Sequence, residues 1–245
     1  MAEFPAPSAA EPRAAASAPR RGIIGLIDAV LGALVEFLAA GLVLAEIGIL
    51  LSGVVARYVF DAPLVWSDEL ASMLFLWLAM LGAVIAFRRD EHMRMTAAVG
   101  ALPPSARAVL DCFATGAALT FLMLIARPAY DYALEQVPIL TPALQFTDAA
   151  RTAALPVGVV LMAAFALFRL IETGSPRTLV IALGAVVALV ALFWLGEPLF
   201  QRLGNLNLLI FFVGVVAAAV FAGVPIAFAF GLAIFGYLAL TTQTP

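Results

Sequence analysis

Apolar and polar positions divide this chain into long apolar runs joined by short charged connections. The runs predict helices over about Gly22–Arg57, Ser67–Phe87, Arg107–Ala126 (ended by Arg127-Pro128), Thr152–Phe168 and Thr178–Gly196. From Leu203 onward the chain is uncharged, with Gly223-Val224-Pro225 inside a last apolar segment. About 20 apolar residues rising 1.5 Å each cross roughly 30 Å of hydrocarbon, so the runs read as membrane spans. A straight helix over Asn207–Leu240 would be about 50 Å long, too long for one untilted span. A kinked helix and two half-helices both fit, because proline interrupts a helix. No strand-like alternation supports a barrel.

The expected fold is an all-α integral membrane protein of about six transmembrane helices. Residues 1–21, rich in Ala, Pro and Ser, are expected to be a disordered tail. Residues 22–172 would form a four-helix membrane domain, 173–203 a linking helix with its loops, and 204–245 a further segment.

Composition sharpens this picture. The 245 residues are 64% hydrophobic and 12% charged, half the charge of an ordinary soluble domain, which is about 25%. The single cysteine, Cys112, and single histidine, His92, exclude an intrachain disulfide and a haem held by two histidines of this chain. A net charge of −3 gives no reason to expect a nucleic-acid partner. No cofactor is expected in the chain, nor any enzymatic activity: no nucleophile–base pair, phosphate loop or metal spacing is visible.

All basic side chains are arginines. With a cytoplasmic N-terminus, the inside segments hold Arg13, Arg20, Arg21, Arg88, Arg89, Arg94, Arg107, Arg169 and Arg177, and the outside ones Arg57, Arg127, Arg151 and Arg202. This asymmetry predicts that orientation. Arg20, Arg21, Arg88, Arg89 and Arg94 are its anchors, and His92 is read as interfacial. Trp66-Ser67-Asp68-Glu69 would lie outside, with Ser67 as N-cap, acids in the first helical turn and Trp66 in the aromatic belt. The same acids also suggest a docking patch for a partner.

Three acids fall within the first run. Asp28 and Glu46 share one azimuth at 100° per residue, and Glu36 lies about 80° away. A shared face of acids turns toward protein. Glu36 and Glu46 are expected to be structural: Glu46 paired with an arginine or hydroxyl on a neighbouring helix, or protonated. An ion or proton site at Glu46 is the alternative, and Asp28 is a candidate for the headgroup layer.

Arg57-Tyr58-Val59-Phe60, Pro63, Trp66-Ser67-Asp68-Glu69-Leu70, then Trp77 and Gly82 in an apolar span, then Arg88-Arg89, His92 and Arg94 resemble the small, DctQ-type membrane subunit of tripartite ATP-independent periplasmic (TRAP) transporters. The resemblance covers roughly Gly22–Glu172 and departs from the family pattern at Met95-Thr96. Leu208–Leu240 resembles the start of the large DctM-type subunit, which implies a fused arrangement with Thr178–Gly196 as linker. On that basis a chain ending at Pro245 is expected to be a fragment or a truncated reading frame, unable to transport alone. The resemblance implies a bracing role in a bacterial inner-membrane secondary transporter of organic acids such as dicarboxylates. It implies a sodium gradient, a DctM-type large subunit, a periplasmic solute-binding protein and the lipid bilayer as partners, with substrate and sodium sites elsewhere. A haem-free anchor subunit of a respiratory enzyme and a stand-alone ion-conducting protein are the competing readings.

Overall fold

The computed structural model describes residues 22–89, 102–173, 175–196, 200 and 203–241. Its described elements are α1 (Ile23–Tyr58), α2 (Val65–Arg88), α3 (Pro104–Glu135), α4 (Ala154–Thr173, led in by a helical turn at Ala149–Thr152), α5 (Pro176–Leu195), α6 (Leu206–Phe221) and α7 (Ile226–Thr241). Four helical stretches, Ile23–Tyr58, Val65–Arg88, Pro104–Glu135 and Ala149–Glu172, are long and apolar enough to cross a membrane. The fold is an all-α membrane bundle.

Small residues let the helices approach closely, the usual device where lipid removes the hydrophobic drive between helices. Ala114, Ala117 and Ala118 of α3 are buried together with Leu81 and Val84 of α2 and Val159, Phe165 and Ala166 of α4. Gly158 lies under Met80, so the α2–α4 contact is also made through a missing side chain. α1 sits at the edge of the bundle: only 11% of its most apolar window is buried, against 33% for α3. At 36 residues it is about 54 Å long and must tilt or protrude.

One expectation changes, and one open alternative is decided. α3 does not stop at Arg127-Pro128; it continues through Pro128 to Glu135. A proline removes one backbone hydrogen bond, and the helix nevertheless continues past it through the exposed Tyr130, Asp131 and Tyr132. Of the two arrangements open for the terminal segment, it takes that of two separate helices. Gly223 has φ 87°, a left-handed value that glycine adopts without strain, and Pro225 follows it. The chain folds back there, so α6 and α7 form a hairpin, with Phe211 against Tyr237 at a centroid distance of 6.0 Å. A π-helical stretch, Ile210–Val215, lies within α6.

This hairpin shares the core of the four-helix bundle. Phe228 meets Phe87 edge-on at 5.5 Å and Phe121 at 5.9 Å, and Gly231 packs beneath the Phe121 ring.

Candidate functional site

α1 and α2 run antiparallel with a register fixed by two glycines. The Arg88 guanidinium lies against Gly32, and the Ser67 hydroxyl lies against Gly53. Gly53 follows Gly32 by 21 residues, and Ser67 precedes Arg88 by 21. At 1.5 Å per residue the two contacts are about 32 Å apart, close to the hydrocarbon thickness. Each end of the helix pair is therefore closed by a polar contact seated on a glycine.

At the Arg88 end, Asp28, Gly32 and Glu36 follow one another at four-residue intervals along one face of α1. Arg88 Nη2 lies 3.0 Å from Asp28 Oδ2, with Nε on the same oxygen at 3.3 Å. Its Nη1 donates to Glu36 Oε1 at 3.3 Å, and Arg89 Nη2 reaches that oxygen at 3.2 Å. Phe165 of α4 lies 5.7 Å from the guanidinium carbon, within cation–π range. A planar fork suits this bridging of two carboxylates. Asp28 is 4% exposed, so its carboxylate is enclosed by protein. A buried pair of this kind is costly to break, because the remaining charge stays buried.

At the other end, α2 begins at Val65, with Leu64 at the cap position and no side-chain cap. Ser67 is thus not the N-cap expected from sequence. It lies inside the first turn, donating to Leu64 O at 2.7 Å, because the cap position falls three residues earlier, at Leu64. Asp68 keeps its first-turn position and faces Arg57 at 3.7 Å in an exposed pair, worth at most about 1 kcal/mol.

Glu69 is committed to the loop between α3 and α4. Its Oε2 accepts the backbone N–H groups of Leu144 at 2.6 Å and Ala143 at 3.1 Å. The loop is closed by Thr141 N–H to Phe146 O and Asp148 N–H to Ile139 O, both 2.8 Å. The Trp77 indole donates to Ala150 O at 2.8 Å, drawing the first turn of the fourth span alongside the middle of α2. Trp66 is 39% exposed beside Val65 at 76%.

Glu46 differs from its two companions. It is half-buried on a groove of about 440 Å³ that it lines with Ala71, Ser72, Phe75, Leu76 and Arg151. Among the described residues it has no hydrogen-bond or ion-pair partner, so the expected pairing with a neighbouring arginine or hydroxyl is not made within them. Arg151 is held by Asp148 at 2.9 Å, and its Nε is buried without a partner. An ionised carboxylate near a helix centre costs about 2.5–3.5 kcal/mol on the insertion scale. Arg20, Arg21, His92 and Arg94 lie outside the described residues.

Sequence reasoning missed Gly32, Gly53, Phe165, Arg151 and the loop that Glu69 holds. The four-residue spacing of Asp28, Gly32 and Glu36 was the available signal: two acids flanking a gap on one helical face.

The geometry supplies charge pairs that fix helices to each other and to a loop. Residues 46–175, just over half the chain, match the family model described as "Tripartite ATP-independent periplasmic transporters, DctQ component". The sialic acid TRAP transporter permease protein SiaT of Haemophilus influenzae (strain 86-028NP) is 37% identical over 78 residues, which are 32% of this chain and 13% of that protein. The sialic acid TRAP transporter small permease protein SiaQ of Vibrio cholerae serotype O1 (strain ATCC 39315 / El Tor Inaba N16961) is 28% identical over 127 residues, 52% of this chain and 73% of that protein. Taken with the bundle and its paired helix ends, these matches place the chain in the DctQ family: it is a multi-pass membrane component of the TRAP transporter type.

Proposed function

We propose that this chain is a bracing component that holds a large DctM-type permease subunit in the membrane and presents a docking face to a periplasmic solute-binding protein. The observation that carries this reading is how the charges of α1 and α2 are used. Asp28, Glu36, Arg88, Arg89 and Glu69 are engaged with other parts of the same chain, while the apolar face of α1 is open. Leu26, Val30, Phe37, Leu44 and Leu51 are all more than half exposed, which suits a helix laid against another membrane subunit or lipid.

In this reading the N-terminus is cytoplasmic, the membrane is the bacterial inner membrane, and Arg88 marks the inner end of α2. Residues 22–172 form the bracing domain, residues 173–203 the link, and residues 204–245 the opening of a DctM-like part. Asp68 takes over the docking role alone, because the Glu69 carboxylate is occupied by the loop. Transport is driven by a sodium gradient. The cargo is an organic acid: the carboxylate is the chemistry shared by dicarboxylates and by the sialic acid in the names of the two relatives.

Reconstitution of this chain with a large permease subunit and a solute-binding protein in proteoliposomes tests the proposal. Sodium-driven uptake of labelled sialic acid or succinate is expected with all three components and is lost when any one is omitted. Uptake by this chain alone, or undiminished uptake without it, would refute the bracing role.

A further inference from the structure

We infer that Glu46 is the α1 contact point for a basic side chain on a transmembrane helix of the large permease subunit. This rests on the reading of the chain as a bracing component. α1 carries three acids on one flank, and two of them are answered inside the chain, Asp28 by Arg88 and Glu36 by Arg88 and Arg89. Glu46 has no such answer among the described residues.

Its surroundings call for a cation rather than a neutral donor. Arg151, the guanidinium that lines the groove among the described residues, is already engaged by Asp148 at 2.9 Å. Arg151 thus lines the groove with Glu46 while its own pairing is to Asp148, outside that groove, and attraction between Glu46 and a further cation would be little screened away from water. Depth argues for a cation carried by a spanning helix. Glu46 lies seven residues from Gly53, or about 10 Å inward from the Gly53–Ser67 contact. A headgroup amine sits shallower than this, beside Trp66, whereas a side chain on a membrane helix is delivered at that depth. The border of the groove also suits a helix. Val43 and Leu50, one turn to either side of Glu46, and Phe75 across the groove are exposed at 39%, 46% and 61%.

The test uses the complete transporter in native membranes. Tagged chain carrying Glu46→Gln is compared with wild type for retention of the large subunit at matched membrane expression. A drop of about tenfold is expected, with partial retention by Glu46→Asp. A second reading protects against a folding defect: benzoylphenylalanine replacing Leu50 should cross-link the large subunit on illumination when Glu46 is present, and much less in the Glu46→Gln background. Unchanged retention and cross-linking in Glu46→Gln would overturn the inference alone. Failure of the wild-type chain to retain any large subunit would overturn both the inference and the bracing role. An aminophospholipid seen by native mass spectrometry on wild type but not on Glu46→Gln, with subunit retention unaltered, would reassign the site to lipid.

Discussion

The guanidinium of Arg88 occupies the space that a side chain at Gly32 would fill, one helix away. Asp28 and Glu36 flank that space one turn to either side, so the glycine and the two acids form a seat for one arginine. The seat fixes the register of α1 on α2 at the Arg88 end, and the Gly53–Ser67 contact fixes the other end.

Filling the seat should cost more than the helix gains. Gly32→Ala raises helix propensity by up to about 1 kcal/mol, but the added Cβ would overlap the guanidinium. A net loss of about 1–3 kcal/mol is expected, the range for overpacked interiors, read as a lower thermal unfolding midpoint in detergent. Arg88→Met should cost up to about 3–5 kcal/mol by removing the two Arg88 bonds to the buried Asp28 carboxylate, and adding Asp28→Asn should restore much of it.

The two adjacent acids of α2 should separate by function. Glu69→Gln weakens two charge-assisted bonds, each worth about 1.5–3 kcal/mol. The amides of Ala143 and Leu144 should then exchange with deuterium at least about tenfold faster. Asp68→Asn should leave those amides unchanged and weaken capture of the solute-binding protein. Equal effects of both variants on the loop would contradict this division.

That division was out of reach from sequence. Trp66-Ser67-Asp68-Glu69 showed a helix start, and the span from there to the arginine pair was legible in length and composition. A helix start does not reveal that a loop seventy residues later will bring its N–H groups to one acid and not to its neighbour. The expected Ser67 cap failed because the helix starts at Val65 and the Ser67 hydroxyl donates to Leu64 O; its packing on Gly53 is a contact between helices, invisible in local spacing. The three acids on one flank of α1 were legible from periodicity. Which of them meet arginines depends on where α2 ends, and that placed Asp28 and Glu36 beside Arg88 and left Glu46 apart. Gly223-Val224-Pro225 announced a break in the last segment, but the hairpin needed Phe228, Gly231 and Phe121 to meet in three dimensions.

The hairpin should depend on that aromatic contact. Phe228 is buried between Phe87 and Phe121. Phe228→Ala is expected to lose on the order of 1–3 kcal/mol, below the ~3–5 kcal/mol of a water-soluble core, because lipid replaces part of the packing. Amides of residues 226–241 should exchange faster while those of α2 do not.

Orientation can be read by labelling. In a Cys112→Ala background, Asp61→Cys should react with an impermeant maleimide in intact spheroplasts, and Ser105→Cys only after lysis. The reverse pattern would invert the topology proposed from the arginines.

Whether these charges brace or bind is decided most directly by uptake kinetics of the complete transporter carrying Arg88→Met with Asp28→Asn. The account predicts a lower maximal rate in proportion to the amount of assembled transporter, with the KM for substrate and the sodium dependence unchanged. A shifted KM or an altered sodium requirement at full assembly would contradict it, because it would place the Arg88 layer in the transport site rather than in the frame that holds it.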